Sequence, residues 1–394
     1  MGKIKINLSS VFQGILISII VCFAVNPISC KITETGIDVI SGDYVPPVLQ
    51  KVEVIDDKSV KVSFSESIIL NGFTITEHIE DVSNSSDHSK TEELSLALKS
   101  VTDFSNSIKA EFVYKNNNQE VEFLFDKNTI VGKTYNIFGV VEDAIGNSLT
   151  FCVPFIGFNS KVAKMIMTEV RSVSDSKNGF REFVEFLVIE EGNVAGVQIQ
   201  IGGEESKTYA FPAIDVKKGD VIVYHPEKVG DGIADELFDD LTLCQHTDSN
   251  ENARDLWGTS EKSVIGNNDD IIVLYDQVND FIIDAVMFRK ADTVTWTKNK
   301  QLAADFINDA GIYDSSDIEN ANYTKGGTAP VSASAKHTLQ RLNTSDILQK
   351  IYNDEKVELP VKVDSESWQI VKGAFSPGVV EYTYVFNVSF YFFL

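Results

Sequence analysis

Val60-Lys61-Val62-Ser63-Phe64 sets an apolar side chain at every second position, and Val121, Phe123 and Phe125 do the same among Glu122, Leu124 and Asp126. Successive strand residues point to opposite sheet faces, so a period of two marks a half-buried strand rather than an amphipathic helix. Val52 and Val54, set among Lys51, Glu53 and Ile55, lead into the first run through the turn-forming pair Asp56-Asp57. The second run follows Asn116-Asn117-Asn118, a residue type that tolerates the left-handed backbone of a tight turn. Short strands separated by Asn, Asp and Gly predict an antiparallel sandwich. The pattern lapses after Phe155 and restarts at Met165-Ile166-Met167-Thr168-Glu169-Val170, so a second β unit begins near Lys161. Its further strands are predicted at Glu182–Val188, Gly196–Ile201, Lys218–Tyr224, Asn268–Asp276 and Ile282–Val286. The fold class expected is mainly β.

The chain has 394 residues, enough for two or three domains. Apolar residues make up 43 % and charged residues 23 %, proportions that support packed cores rather than wholesale disorder. Lys and Arg number 34 against 58 Asp and Glu, a net charge of −24. Phosphate recognition depends on clustered Lys and Arg, so no nucleic-acid partner is expected. The same imbalance argues against docking on anionic headgroups through a basic face.

Lys3 and Lys5 begin the chain, and an apolar run from Val11 to Val25 follows, broken at Gln13, Gly14 and Ser18. A stretch of about 15 residues suits the core of a signal peptide and falls short of the ~20 a membrane span needs. Asn26-Pro27-Ile28-Ser29-Cys30 ends it. A small residue directly before a Cys resembles a bacterial lipobox, in the relaxed form of spirochaetal lipoproteins because Pro27 stands where Leu is usual. The resemblance implies lipid attachment at Cys30 after removal of residues 1–29, and a membrane partner held through that lipid. Residues 30–45 read as a polar tether. Cys22 leaves with the signal, so Cys152 and Cys244 remain, too few for a disulfide framework.

Two phrases of the first unit resemble bacterial Ig-like domains of cell-surface proteins. One is Pro46-Pro47-Val48 leading to Lys61-Val62-Ser63-Phe64-Ser65-Glu66; the other is Tyr135-Asn136-Ile137 leading to Glu142-Asp143-Ala144-Ile145-Gly146-Asn147. The likeness spans residues 46–159, except for the Ser- and Asp-rich stretch 78–107, which reads as a long exposed loop. Residues 160–379 resemble the lamin tail domain. The phrases, in that family's order, are Thr168-Glu169-Val170, Glu182-Phe183-Val184-Glu185-Phe186, Tyr209-Ala210-Phe211-Pro212, Asn268-Asp269-Asp270 running to Tyr275-Asp276, and Trp368 with Ser376-Pro377-Gly378. The excess over a typical module of that family sits at about 225–265 and 290–336, acidic insertions expected to be partly helical. The resemblances imply two Ig-like antiparallel β-sandwiches with short helices in the insertions of the second. They also imply that Trp368 anchors the second core.

Chemistry-bearing motifs are sparse. The five His residues, His78, His88, His225, His246 and His337, show no metal-ligand spacing, and Cys244-Gln245-His246 has no second pair to complete a site. No G-x-S-x-G, P-loop or G-x-G-x-x-G occurs. Asp231, Asp235, Glu236, Asp239 and Asp240 offer oxygens for Ca²⁺ but lack EF-hand spacing; on a helix they would form an acidic, solvated face. The alternating aromatics of the tail 380–394 would make one apolar strand face, either an added pairing strand or an aberrant end. The expected function is a non-enzymatic, lipid-anchored envelope protein, without cofactor, that binds a protein or carbohydrate ligand at the cell surface. The alternative is an accessory part of an exported hydrolase with a site in 225–336. His225, Cys244, His246 and Asp284 would have to converge in that case.

Overall fold

The computed structural model describes residues 30–33, 36–39, 45–77, 107–289, 296–312, 328–330, 335–360, 367–372 and 377–380. The expected signal peptide, most of the 78–107 loop, the tail beyond Val380, His78 and His88 lie outside those residues. The chain divides into two units, Met1–Ser160 and Lys161–Leu394. Both are mainly β.

In the stretch read as a tether, β1 (Cys30–Thr33) and β2 (Gly36–Val39) form an antiparallel hairpin with Cys30 opposite Val39. The first unit continues with β3 (Leu49–Asp56), β4 (Ser59–Phe64), β5 (Ile69–Glu77), β6 (Ser107–Ile108), β7 (Ala110–Lys115), β8 (Glu120–Phe125), β9 (Thr134–Glu142) and β10 (Ser148–Ile156). They pair in two antiparallel four-stranded sheets, ordered β3-β4-β8-β7 and β10-β9-β5-β6. The alternating runs supply one shared core: Val60, Val62 and Phe64 of β4 and Val121 and Phe123 of β8 pack with Ile75, Ile137 and Phe151 of the other sheet. Asn116, Asn117 and Asn118 all have positive φ, which lets them reverse the chain between β7 and β8. The β9–β10 turn is built on Asp143. One of its oxygens accepts the N–H groups of Ile145, Gly146 and Asn147, and the other accepts the Asn147 amide. Burial raises the Asp143 pKa, but these bonds outweigh it and hold the carboxyl below its ordinary range.

The second unit contains β11 (Lys164–Arg171), β12 (Phe183–Glu190), β13 (Gly192–Asn193), β14 (Val197–Ile201), β15 (Thr208–Ala210), β16 (Asp215–Val216), β17 (Val221–Glu227), β18 (Arg254–Ser260), β19 (Asp269–Asp276) and β20 (Phe281–Arg289). After α1 (Lys298–Asp309) come β21 (Thr328–Pro330), β22 (His337–Arg341), α2 (Thr344–Tyr352) and β23 (Trp368–Lys372). A six-stranded sheet, β18-β17-β12-β11-β22-β23, faces a five-stranded one, β15-β14-β19-β20-β21. Phe186, Ile222, Leu256, Leu274, Phe288 and Trp368 lie in the core between them. The outer face of the five-stranded sheet is covered by α1 through Ala303, Ala304 and Ile307, and the six-stranded sheet packs Ile166, Leu187 and Ile189 against Ile347 of α2.

Two expectations change. Not every pairing is antiparallel: β17–β18 and β20–β21 are parallel, because each long connection carries the chain back to start in the same direction. Helices also fall differently. α1 lies within 290–336, but 225–265 holds no helix, and α2 lies beyond both insertions. Gly230 and Gly232 take positive φ, and Asp235 and Glu236 use their carboxylates on backbone N–H groups of neighbouring segments, which favours a folded loop over a helix.

Candidate functional site

Among the described residues, a group of buried titratable side chains lies on the outer face of the six-stranded sheet. Alternation along β17 sends Ile222 and Tyr224 into the main core and leaves Val223 and His225 on the opposite face. The parallel register sets His225 opposite Trp257 and Val223 opposite Asp255. His225 Nε2 therefore lies 2.7 Å from Asp255 Oδ1, with both residues fully buried, and the His225 ring stacks on Trp257 at 4.1 Å. The segment between β17 and β18 returns over this face. It brings His246 edge-on to Trp257 at 4.8 Å, its Nδ1 accepting the N–H of Asp248. Asp248 Oδ2 in turn accepts the N–H of Arg181 at 2.5 Å, and Arg181 reaches Glu227 at 3.4 Å.

Burial dominates the electrostatics. It lowers the His246 pKa, assisted by the neighbouring His225 and Arg181, so this imidazole is held neutral. It raises Asp248 above the ordinary carboxylate range. Glu182, also fully buried, is pushed up to about 7 by desolvation although one of its oxygens accepts the N–H groups of Val264 and Ile265. The His–Asp pair is sealed. Among the described residues, no Ser, Thr or Cys side chain is hydrogen-bonded to either imidazole, and no group of three or more His, Cys, Asp or Glu is placed to hold a metal ion.

Of the four residues required to converge, the structure brings His225 and His246 together, their ring centroids 6.5 Å apart. Cys244 is buried nearby as a free thiol whose backbone N–H donates to Glu236. Asp284 is elsewhere. It sits fully buried on β20, accepts both hydrogen bonds of Arg341 Nη2 at 2.6 and 2.8 Å, and also accepts the Met167 N–H. This pair ties the two sheets together. Arg341 also lies over the Trp368 ring at 4.7 Å. The acidic cluster is dispersed as well: Asp235 accepts the Trp257 N–H, Glu236 those of Cys244 and Asp255, and Asp240 that of Thr242.

Asp255, Trp257 and Arg181 were not singled out from the sequence, and Glu182 entered only as the first residue of a predicted strand. Asp255 and His225 are thirty positions apart in the chain, and only the parallel register joins them. The available signal was the acid inside the apolar run Arg254-Asp255-Leu256-Trp257.

Cys30 begins β1, and no described helix is long and apolar enough to cross a membrane.

Comparison with known proteins finds a matching family and similar chains. The family described as TP_1001 protein second domain matches residues 163–370. An uncharacterized protein of Treponema pallidum (strain Nichols) is 34 % identical over 175 residues, covering 42 % of this chain and 44 % of that protein. The chain thus spans less than half the length of that relative. Among solved structures, the S-layer protein SbsC is similar at 12 % identity and a TM-score of 0.21, over 59 % of this chain and 39 % of that one. Its domains 1–6 are similar at 10 % identity, with the same coverage and TM-score. Likeness at that score carries no weight for function.

Proposed function

The chain belongs to the TP_1001 protein second domain family, and from that footing we propose that it is a non-enzymatic, lipid-anchored protein of the cell envelope whose β-sandwiches present a binding surface. The observation that carries the reading is the burial of the His225–Asp255 pair under the β17–β18 connection. A general base must reach a substrate proton, whereas these groups reach each other and Trp257. The same burial weighs against a hydrolase site in residues 225–336. Anchoring is supported by the basic start, the apolar run and the Ser29-Cys30 junction. The Ig-like and lamin-tail resemblances support modules of a kind that display ligands on rigid strands and loops.

Fractionation tests the location. Produced with its own leader in a bacterial host, the full chain should stay with membranes through a high-salt wash and be released by detergent. Recovery in the soluble fraction, or release by salt alone, would contradict anchoring by lipid.

A further inference from the structure

The connection from Gly232 to Gln245 is closed at its neck by a hydrogen bond from Gln245 N–H to Gly232 C=O at 2.8 Å. Side-chain hydrogen bonds hold it further in. Glu236 accepts the N–H groups of Cys244 at 3.1 Å and Asp255 at 2.8 Å, and Asp235 accepts that of Trp257 at 2.7 Å. The Arg254 guanidinium donates to the carbonyls of Glu236 and Phe238, the latter at 2.6 Å. Phe238 itself is 76 % exposed, more than any other described Phe, and Leu237 and Leu243, within the loop that the Glu236–Cys244 tie closes, are 42 % and 46 % exposed.

An exposed apolar side chain alone is ordinary. An exposed aromatic next to an exposed leucine, on a backbone fixed by a buried carboxylate and a buried guanidinium, is different, because little ordering entropy remains to be lost on contact. Aromatic anchors of this kind carry much of the energy of protein interfaces. The exposed charge carried by this connection has one sign, because the Arg254 guanidinium that holds it is buried. Asp231, Asp239 and Asp240 are exposed, and no Lys or Arg occurs between Val229 and Ala253.

We infer that the Phe238 loop is a docking knob for a partner protein whose apolar socket is rimmed by Lys and Arg. The inference rests on the proposed binding role and adds the surface and the chemistry of the partner. Aromatic insertion supplies affinity, and the acidic rim steers approach and excludes acidic surfaces, including other copies of this chain.

The test places a photo-crosslinking benzoyl-phenylalanine at Leu237 in the full chain and exposes it to the envelope fraction of the source cells. The cross-linked protein is then purified and titrated against wild type, Phe238→Ser and the double variant Asp239→Asn/Asp240→Asn. Melting temperatures confirm that the variants fold, as expected for exposed positions. Affinity should fall about tenfold or more with Phe238→Ser. It should weaken as salt rises from about 0.05 to about 0.3 M, and less steeply in the double variant. Cross-linking only to lipid or to a second copy of this chain, no cross-link above the Phe238→Ser background, or a purified partner that binds Phe238→Ser as tightly as wild type would overturn the inference. A chain that remains with membranes yet fails here loses this assignment alone, since the fractionation result stands separately.

Discussion

Glu182 is buried beside Glu227, with backbone N–H groups on one oxygen and a raised pKa of about 7 whose main cause is desolvation. A raised carboxyl pKa means that the folded state holds the proton more tightly than the unfolded one. The stabilising contribution is therefore complete below about 4.5 and is lost as pH rises to about 7. Gln keeps an acceptor for the two N–H groups and cannot ionise. Glu182→Gln should match wild type near pH 4.5 and exceed it by about 2–3 kcal/mol near pH 7.5 in denaturant melts. A constant difference across that range would place the Glu182 carboxyl in a better-solvated setting. Single residues were legible in the sequence where local chain geometry decides their role. Asp143 and Gly146-Asn147 could be assigned to a turn because they bond to one another. His225 and Asp255 could not be paired, because their contact follows from a parallel strand register that local pattern does not encode.

Strand β23 closes one edge of the six-stranded sheet by pairing with β22, placing Trp368 opposite Arg341. Trp368 is 4 % exposed and lies in the main core, where the sequence reading put it. Its indole N–H has no partner among the described residues, and the Arg341 guanidinium covers the ring instead. Trp368→Ala removes the ring from the core and uncovers the buried Arg341–Asp284 pair, at a cost of about 3–5 kcal/mol. A denaturant midpoint for the second unit that stays at the wild-type value would contradict this packing. The elements that the sequence reveals most clearly are strands with one wet face: β4 and β8 bury alternate residues and leave Lys61 and Glu122 half-exposed. The β17–β18 connection misled because its acids at i,i+4 spacing suit a helix equally well. Tertiary hydrogen bonds from Asp235, Glu236 and Arg254 decided its shape instead.

At the scale of the molecule, the two units carry separate cores: one is built on β4, β5, β8, β9 and β10, the other on the facing sheets of the second unit. The net charge of −24 leaves no basic excess to hold such a chain on an anionic bilayer, so the proposed attachment rests on lipid alone. That makes Cys30 the point on which the functional reading turns. A single acyl chain gives only marginal binding, so a stable anchor at Cys30 needs a second chain or another membrane contact. The direct measurement is metabolic labelling with a clickable fatty acid in cells producing the full chain, comparing wild type with Cys30→Ala. The account predicts label on wild type and none on Cys30→Ala. Unlabelled wild type, or equal label on both, would contradict it.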